Sequence, residues 1–334
     1  MNNYLISIII PIYNSSSTLI RTIESLNIPY GRSDVEVILV DDGSTDNSYD
    51  LYKIYYSTNN NIKYLKKTNG GPSSARNHGI ANSSGNFITF LDSDDTVSND
   101  FLRDYFECTL KNYDLVVMGY KLVNDKTNKT KHEFYPNIDN KVTYTTEELF
   151  NILKTRRLEK QIWNKLYKRS ILDREKILFN ENIKIGEDFS FNLSYISHVN
   201  STFFLQKANY NHHTIENSLS RSYKVYKFDH LKIVNDIYYH FLVKHGMNTK
   251  RAYLSRVNNV ITCIADLSFS KNMTILEKIS HINKLRNDEY LDLAYKSLSN
   301  EQLGIYSRIK IWMLKYLNSY FLYTLFKITR FIKR

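Results

Sequence analysis

The chain has 334 residues, 42% hydrophobic and 24% charged, a balance that excludes intrinsic disorder and allows one large core or a domain with a smaller partner. Its formal net charge of +11 suits phosphorylated small molecules, anionic lipid or nucleic acid. No zinc finger, RNP-type strand or basic region with heptads accompanies that charge, so no nucleic acid is expected as a partner.

The first 120 residues alternate short apolar runs with helical patterns. Leu5–Ile12 and Val35–Asp41 are continuous β-branched runs, as in strands buried on both faces of a parallel sheet. Ile62–Leu65, Phe87–Leu91 and Leu115–Met118 read as further strands. Between them Ser17–Leu26, Ser44–Tyr56, Ser73–Ala81 and Asn99–Leu110 carry apolar residues at helical spacing. This alternation predicts an α/β sheet with helices on both faces. Asp42-Gly43-Ser44 marks a turn, with Asp46 or Ser44 able to cap the next helix, and Pro72 falls near the first turn of another.

Lys121–Asn140 is polar and reads as a loop or β excursion. Helical patterning resumes over Thr146–Leu158, and Thr202–Tyr210 reads as a strand. Beyond residue 222 the pattern is helical, with Val225, Phe228, Leu231, Val234, Ile237 and Phe241 at three- and four-residue intervals. Two domains are expected, 1–222 and 223–334, the first divided into halves at residue 120. Cys108 and Cys263 are too few for a disulfide framework or a cysteine-ligated zinc site and are expected as free core thiols. Met1-Asn2-Asn3 lacks a positive n-region and Ile6–Ile12 is too short for a signal, so the protein is expected to stay in the cytoplasm.

The acids fall where chemistry is expected. Asp41 and Asp42 end one predicted strand, and Asp92, Asp94 and Asp95 follow another. Open α/β sheets bind ligands beyond the carboxyl ends of their strands. Mg²⁺ or Mn²⁺ commonly takes one or two carboxylates plus substrate phosphate oxygens, which an Asp-x-Asp at a strand end can supply. The bland alternative for Asp92–Asp95 is a polar turn with a helix cap.

Four blocks then occur together: Ser7-Ile8-Ile9-Ile10-Pro11-Ile12-Tyr13-Asn14, Val40-Asp41-Asp42-Gly43-Ser44-Thr45-Asp46, Gly70-Gly71-Pro72-Ser73-Ser74-Ala75-Arg76-Asn77 and Phe90-Leu91-Asp92-Ser93-Asp94-Asp95. In order and spacing they closely resemble the GT-A glycosyltransferases of family 2, which include bacterial polysaccharide and teichoic acid transferases. The resemblance implies a GT-A, Rossmann-like mixed sheet flanked by helices, followed by a C-terminal helical domain. It implies an inverting transfer from a UDP-sugar to a surface glycan, a polyol-phosphate polymer or a lipid-linked acceptor, assisted by Mn²⁺ or Mg²⁺. Carried onto this chain, Pro11, Tyr13, Asn14 and Asp41 would form the nucleotide-base pocket, Asp41 accepting from the uracil imide. Gly70, Arg76, Asp92 and Ser93 would complete the nucleotide site. Arg76 would lie beside the nucleotide or its diphosphate, the alternative being a structural ion pair with one of the aspartates. Asp92 resembles the residue that contacts ribose or reaches the metal through water, and Asp94 the direct metal ligand.

Trp163-Asn164-Lys165-Leu166-Tyr167-Lys168-Arg169, then Gly186-Glu187-Asp188-Phe189, resemble the acceptor side of bacterial members. There Asp188 would be the general base, with Glu187 beside it in the catalytic pair. Inversion needs a carboxylate on the face opposite the departing diphosphate. The plain alternative is that both acids start a helix running to His198, where they favour the dipole. Tyr210-Asn211-His212-His213 and Glu216–Ser220 resemble a region completing the metal or diphosphate site, though a His pair replaces the usual pattern. Adjacent strand residues face opposite ways, so one His at most faces the metal, and His212 is the choice.

Arg308–Arg334 mixes aromatic residues with Arg308, Lys310, Lys315, Lys327, Arg330, Lys333 and Arg334 and has no acid. Such a helix suits an anionic membrane surface, placing the enzyme peripherally at the inner face of the plasma membrane. Packing on the catalytic domain, or in a homo-oligomer on another subunit, is the competing reading. Against a sugar-phosphate nucleotidyltransferase stands Tyr13-Asn14-Ser15-Ser16-Ser17, which has neither Gly nor Lys after the first strand. Against a non-catalytic glycan- or membrane-binding module stands the joint presence of Asp92, Asp94 and Asp188.

Overall fold

A computed structural model describes residues 5–28, 34–127, 129–138, 141–214, 224–298 and 303–331. It divides into two compact units, Met1–Glu216 and Asn217–Arg334.

The first unit is built on a nine-stranded sheet. Strands β1 (Ile6–Ile12), β2 (Val35–Asp41), β3 (Ile62–Lys66) and β4 (Phe87–Phe90) run parallel, with β1 between β2 and β4. Their β-branched residues are buried on both sides, as the unbroken apolar runs require. Beyond β4 the sheet becomes mixed. Strand β8 (Lys165–Lys168) lies antiparallel between β4 and β6 (Leu115–Asn124), and β9 (Thr202–Thr214) runs parallel to β6. The short β5 (Thr96–Val97) pairs with the far end of β9. Part of the polar stretch 121–140, read as a loop or excursion, is a β-hairpin, in which β7 (Thr130–Phe134) pairs with the extended end of β6.

Helices α1 (Leu19–Ser25), α2 (Ser48–Tyr55), α3 (Pro72–Ala81) and α4 (Phe101–Thr109) follow the first strands. Helix α3 packs on β1 and β2 at a point where only glycine fits: a Cβ on Gly79 would lie 2.4 Å from Ile9 Cγ2. The expected cap of α2 needs correction. Its N-cap position is Asn47, Ser44 instead accepts the Asn14 amide, and Asp46 accepts the Ser48 and Ser16 amides. Helix α5 (Thr146–Thr155) starts with a capping box, Thr145 with Glu148. Three elements escape sequence patterning: β5, β8 and α6 (Arg169–Glu175). Helix α7 (Glu187–Ile196) begins after Gly186, whose φ of 85° favours glycine.

The second unit contains α8 (Lys227–Lys244), α9 (Lys250–Phe269), α10 (Ile275–Arg286), α11 (Glu289–Leu298), α12 (Ile305–Tyr316) and α13 (Ser319–Phe331). Helix α9 supplies its spine, with Val257, Val260, Cys263, Ile264 and Leu267 packed against apolar residues of the other helices. Phe228, Val234 and Phe241 are buried as their spacing predicts, whereas Val225 lies ahead of α8 and is exposed. Cys108 and Cys263 are both free and buried. No described helix is long and apolar enough to cross a membrane.

Candidate active site

The carboxyl ends of β1, β2 and β4 carry the acids and turns singled out above, joined by the starts of α3 and α7. Two connected clusters result.

The first lies past β1 and β2. Asn14 adopts φ 50°, a conformation Asn tolerates, so its Oδ1 receives the Thr45 amide while its own amide reaches Ser44 Oγ. Asp41 is fully buried, taking the Ser44 amide at 2.7 Å and the Tyr64 hydroxyl at 2.8 Å. Asp42 accepts the Gly70 and Gly71 amides at 2.9 and 2.6 Å and pairs with Lys67 at 2.7 Å, so the loop entering α3 is stapled to the end of β2. Pro11 lies in β1, and the Tyr13 ring is exposed beyond it.

The second cluster centres on Arg76 in α3. Its guanidinium is buried, with Nη2 3.1 Å from Asp92 Oδ1, Nη1 3.1 Å from Asp188 Oδ1 and 3.8 Å from Glu187 Oε1. One buried cation thus ties the strand-end acid of the nucleotide half to both acids that start α7. Phe179 lies under the guanidinium, its ring centre 5.5 Å from Cζ. Nε has no hydrogen-bond partner among the described residues. Burial opposes the charge on Arg76, but Asp188, Asp92 and Glu187 more than restore it, and its pKa is raised. Asp188 moves the other way from an ordinary carboxylate: burial first, then Glu187 and Asp92, lift it to about 7 against the pull of Arg76 and Lys165. Its carboxyl is thus held well above the ordinary carboxylate range.

The Asp92–Asp95 turn is held from behind by α1. Thr22 Oγ donates to the carbonyls of Ser93 and Asp95 at 2.9 and 2.8 Å, Thr18 to Ser93, and Arg21 to the Asp94 carbonyl. Ser93 Oγ is 2.7 Å from Ser15 Oγ, so this side chain braces the turn against the loop before α1. The Asp94 side chain opens outward. Desolvation in the cleft, then repulsion from Asp95 and Asp92, raise it to about 6.

The residue that sequence reasoning left without a role is Asp95. It is fully buried and accepts the Tyr210 hydroxyl at 2.7 Å, His212 Nδ1 at 3.0 Å and the His213 amide at 2.7 Å. With Nδ1 turned to Asp95, a neutral His212 carries its proton there and keeps the Nε2 lone pair, the arrangement common in metal-bound histidines. Burial resists protonation of His212, but Asp95, Asp92 and Asp94 raise its pKa. Its ring stacks on Trp163, which also stacks on Tyr210 with centroids 4.1 Å apart. His213 points the other way, its Nε2 2.9 Å from Thr96 Oγ1. Glu216–Ser220 lies outside the described residues.

Lys165 was legible only as part of a motif. It is wholly buried, donating to the carbonyls of Leu158 and Gln161 and to Asn164 Oδ1, and burial lowers its pKa to about 7. Together with Asn192, which donates to the Glu159 and Gln161 carbonyls, it fixes the loop leading to Trp163.

Among the described residues no group of three or more His, Cys, Asp and Glu could hold a metal alone. Asp94 and His212 are nonetheless compatible with a hard divalent cation whose remaining ligands come from a diphosphate. Carboxylates crowded around Asp94, beside a histidine whose Nδ1 faces Asp95, are what such a cation would relieve.

Residues 7–177 match glycosyl transferase family 2. EpsJ of Bacillus subtilis (strain 168), an uncharacterized glycosyltransferase, is 34% identical over 68% of this chain and 67% of its own. The poly(ribitol-phosphate) β-N-acetylglucosaminyltransferase TarP of Staphylococcus aureus (strain N315) is 28% identical over 80% of this chain and 74% of its own. Several other relatives are longer, and this chain spans less than half of their length. Among solved structures, S. aureus TarS residues 1–349 in complex with UDP-GlcNAc superimposes with a TM-score of 0.64 at 21% identity, covering 97% of this chain and 92% of that one. The blocks at the strand ends, the mixed sheet and these relatives agree: the chain belongs to glycosyl transferase family 2 and has its GT-A fold.

Proposed function

We propose that this glycosyltransferase moves a sugar, with inversion, from a UDP-sugar to a hydroxyl of a polyol-phosphate polymer, a surface glycan or a lipid-linked acceptor. The observation that carries the reading is the bridge made by Arg76, which sets Asp92 on one side and Asp188 with Glu187 on the other of a single guanidinium. Transfer with inversion needs an acid group on each side of the sugar, and Arg76 fixes their spacing before any ligand arrives. The relatives support the substrate class: TarP is named for poly(ribitol-phosphate), and TarS was crystallised with UDP-GlcNAc.

In this reading Pro11, Tyr13 and Asn14 frame the base, and Asp41 accepts from the uracil imide while sharing its carboxylate with Tyr64. Gly70, Asp92 and the braced Ser93 turn line the ribose and diphosphate. Asp94 and His212 Nε2 would hold Mn²⁺ or Mg²⁺, which would neutralise charge on the departing diphosphate. Asp188 takes the proton of the acceptor hydroxyl, whose oxygen forms the new bond to the anomeric carbon as the bond to the diphosphate breaks and UDP leaves with the electron pair. Glu187 keeps the proton affinity of Asp188 high, and Arg76 keeps the ionised form bound in place.

Release of UDP by the purified protein tests this, with Mn²⁺ and a panel of UDP-sugars, water serving as slow acceptor. Release from one donor, abolished by EDTA and by Asp94→Ala, is the expected result. If no UDP-sugar is hydrolysed and calorimetry detects no metal-dependent UDP binding, the donor assignment is wrong.

A further inference from the structure

The helical tail is not fully used by its own fold. Helix α12 buries one side against the second unit through Leu314, which is 1% exposed. The opposite side is a stripe at helical spacing: Ile305, Ile309, Trp312 and Tyr316 are 62%, 47%, 52% and 71% exposed. At 3.6 residues per turn these four fall within one narrow sector, with Arg308 and Lys315 along one flank. Helix α13 adds exposed Tyr320, Phe321 and Ile328, with Lys327 next to Ile328 in the chain.

The corner between the two helices is rigid. Arg286 donates to the carbonyls of Leu314 and Lys315 and to Ser319 Oγ, so the last turn of α12 and the first of α13 are tied to α10. The stripe is therefore presented in one orientation.

From Leu303 to Phe331 the sequence has no acid. Lys310 reaches Asn258, Lys315 lies over the Tyr295 ring and Lys327 over the Tyr323 ring. None of Arg308, Lys310, Lys315 and Lys327 makes an ion pair with a described acid. An aromatic and aliphatic strip edged by uncompensated cations matches one occupant best, a bilayer interface with anionic headgroups, where the rings enter the acyl boundary and the cations meet phosphate. A second copy seated on the same face would bring like charges together.

We propose that α12 and α13 form an interfacial docking surface which lays the second unit on an anionic lipid bilayer without crossing it. Ile309 and Trp312 supply the apolar anchor; Arg308 and Lys315 supply the charge selectivity.

Co-sedimentation of the full chain with large unilamellar vesicles tests the surface, using phosphatidylcholine alone or with ~30% phosphatidylglycerol. Binding is expected only to the anionic vesicles and to weaken with salt. Exchanging both Arg308 and Lys315 for Gln should lower the partition coefficient about 25-fold, roughly fivefold per charge. The pair Ile309→Ser and Trp312→Ala should lower it about tenfold or more. Each variant must keep the wild-type circular dichroism and vesicle-free UDP release, so that loss of docking is read separately from the donor chemistry proposed above. Equal sedimentation with neutral and anionic vesicles, or binding unmoved by either pair, overturns the proposal. So does an oligomer in sedimentation velocity that the Ile309/Trp312 pair dissociates while vesicle binding persists, since a second copy would then cover the stripe.

Discussion

Glu187→Gln isolates one term in the proton affinity of Asp188. The two acids share Arg76 Nη1, at 3.8 and 3.1 Å, so their nearest oxygens lie within about 7 Å of each other. Two like charges at that distance repel by about 2.4 kcal/mol at an effective dielectric constant of ~20, and by about 0.6 kcal/mol in water. At ~1.4 kcal/mol per pKa unit, removing the Glu187 charge should lower the Asp188 pKa by about one unit, with ~0.4 and ~1.7 as the limits. Asp188 starts at about 7, raised chiefly by burial. A base acts deprotonated, so kcat should climb with pH through an acid limb near that value. The assay is UDP release at saturating donor between about pH 5 and 9, water being the acceptor. In Glu187→Gln the limb should move toward lower pH by about one unit, leaving the plateau within a fewfold. A limb that stays in place, or rises, would show that the titrating group is not Asp188. A wild-type profile flat across this range would refute the assignment of the base itself.

Asp188→Asn should lower UDP release by about 10²–10⁴-fold while UDP affinity, measured by calorimetry, is retained. The same variant has a stability signature. The raised pKa of Asp188 means that the fold loses stability as pH rises from the ordinary carboxylate range up to about 7, and an amide has no such penalty. The melting temperature of Asp188→Asn relative to wild type should therefore be higher at pH 8 than at pH 5, and an equal gap at both would contradict the raised proton affinity of Asp188. Gly79→Ala places a Cβ against a fully buried central strand and should cost about 1–3 kcal/mol in urea denaturation, with unchanged donor specificity in whatever protein remains folded. Thr22→Val keeps shape but strips the donor shared by the Ser93 and Asp95 carbonyls. About 1–3 kcal/mol of stability should be lost, with a raised Mn²⁺ requirement that Thr22→Ser restores; a normal metal titration in the Val variant would make Thr22 purely structural.

The central strands of the parallel half were legible because β1 and β2 are sealed on both faces and written largely in β-branched residues. Val35–Asp41 is read without error, and Ile6–Ile12 to within one residue. The mixed half was not. Strand β8 is only Lys-Leu-Tyr-Lys, and its first lysine is buried through carbonyl oxygens supplied by a neighbouring loop, which no local pattern announces. The extension of β6 into a hairpin likewise rests on pairing with the polar β7. At the site, acids at strand ends could be found from spacing alone, but their partnerships could not. That Arg76 spans Asp92 and Asp188 depends on the chain returning α7 to α3 across a sequence separation of 112. Asp95 had a visible signal, a third acid in a run of four residues, yet its function as a hydrogen-bond hub follows from β9 laying Tyr210, His212 and His213 beside it.

The shared guanidinium has a consequence for how the two halves of the cleft communicate. Nη2 faces Asp92 while Nη1 faces Asp188 and Glu187, so a single positive charge serves acids on both sides. An anion settling near Asp92 would add negative charge against the same cation, and the affinity of Asp188 for a proton would then rise. Reciprocity requires that protonating Asp188 favour the same anion to the same extent. If the donor diphosphate binds beside Asp92 as proposed, its occupancy and the protonation of Asp188 would be linked through one side chain, and uptake of a fraction of a proton should accompany nucleotide binding near neutral pH.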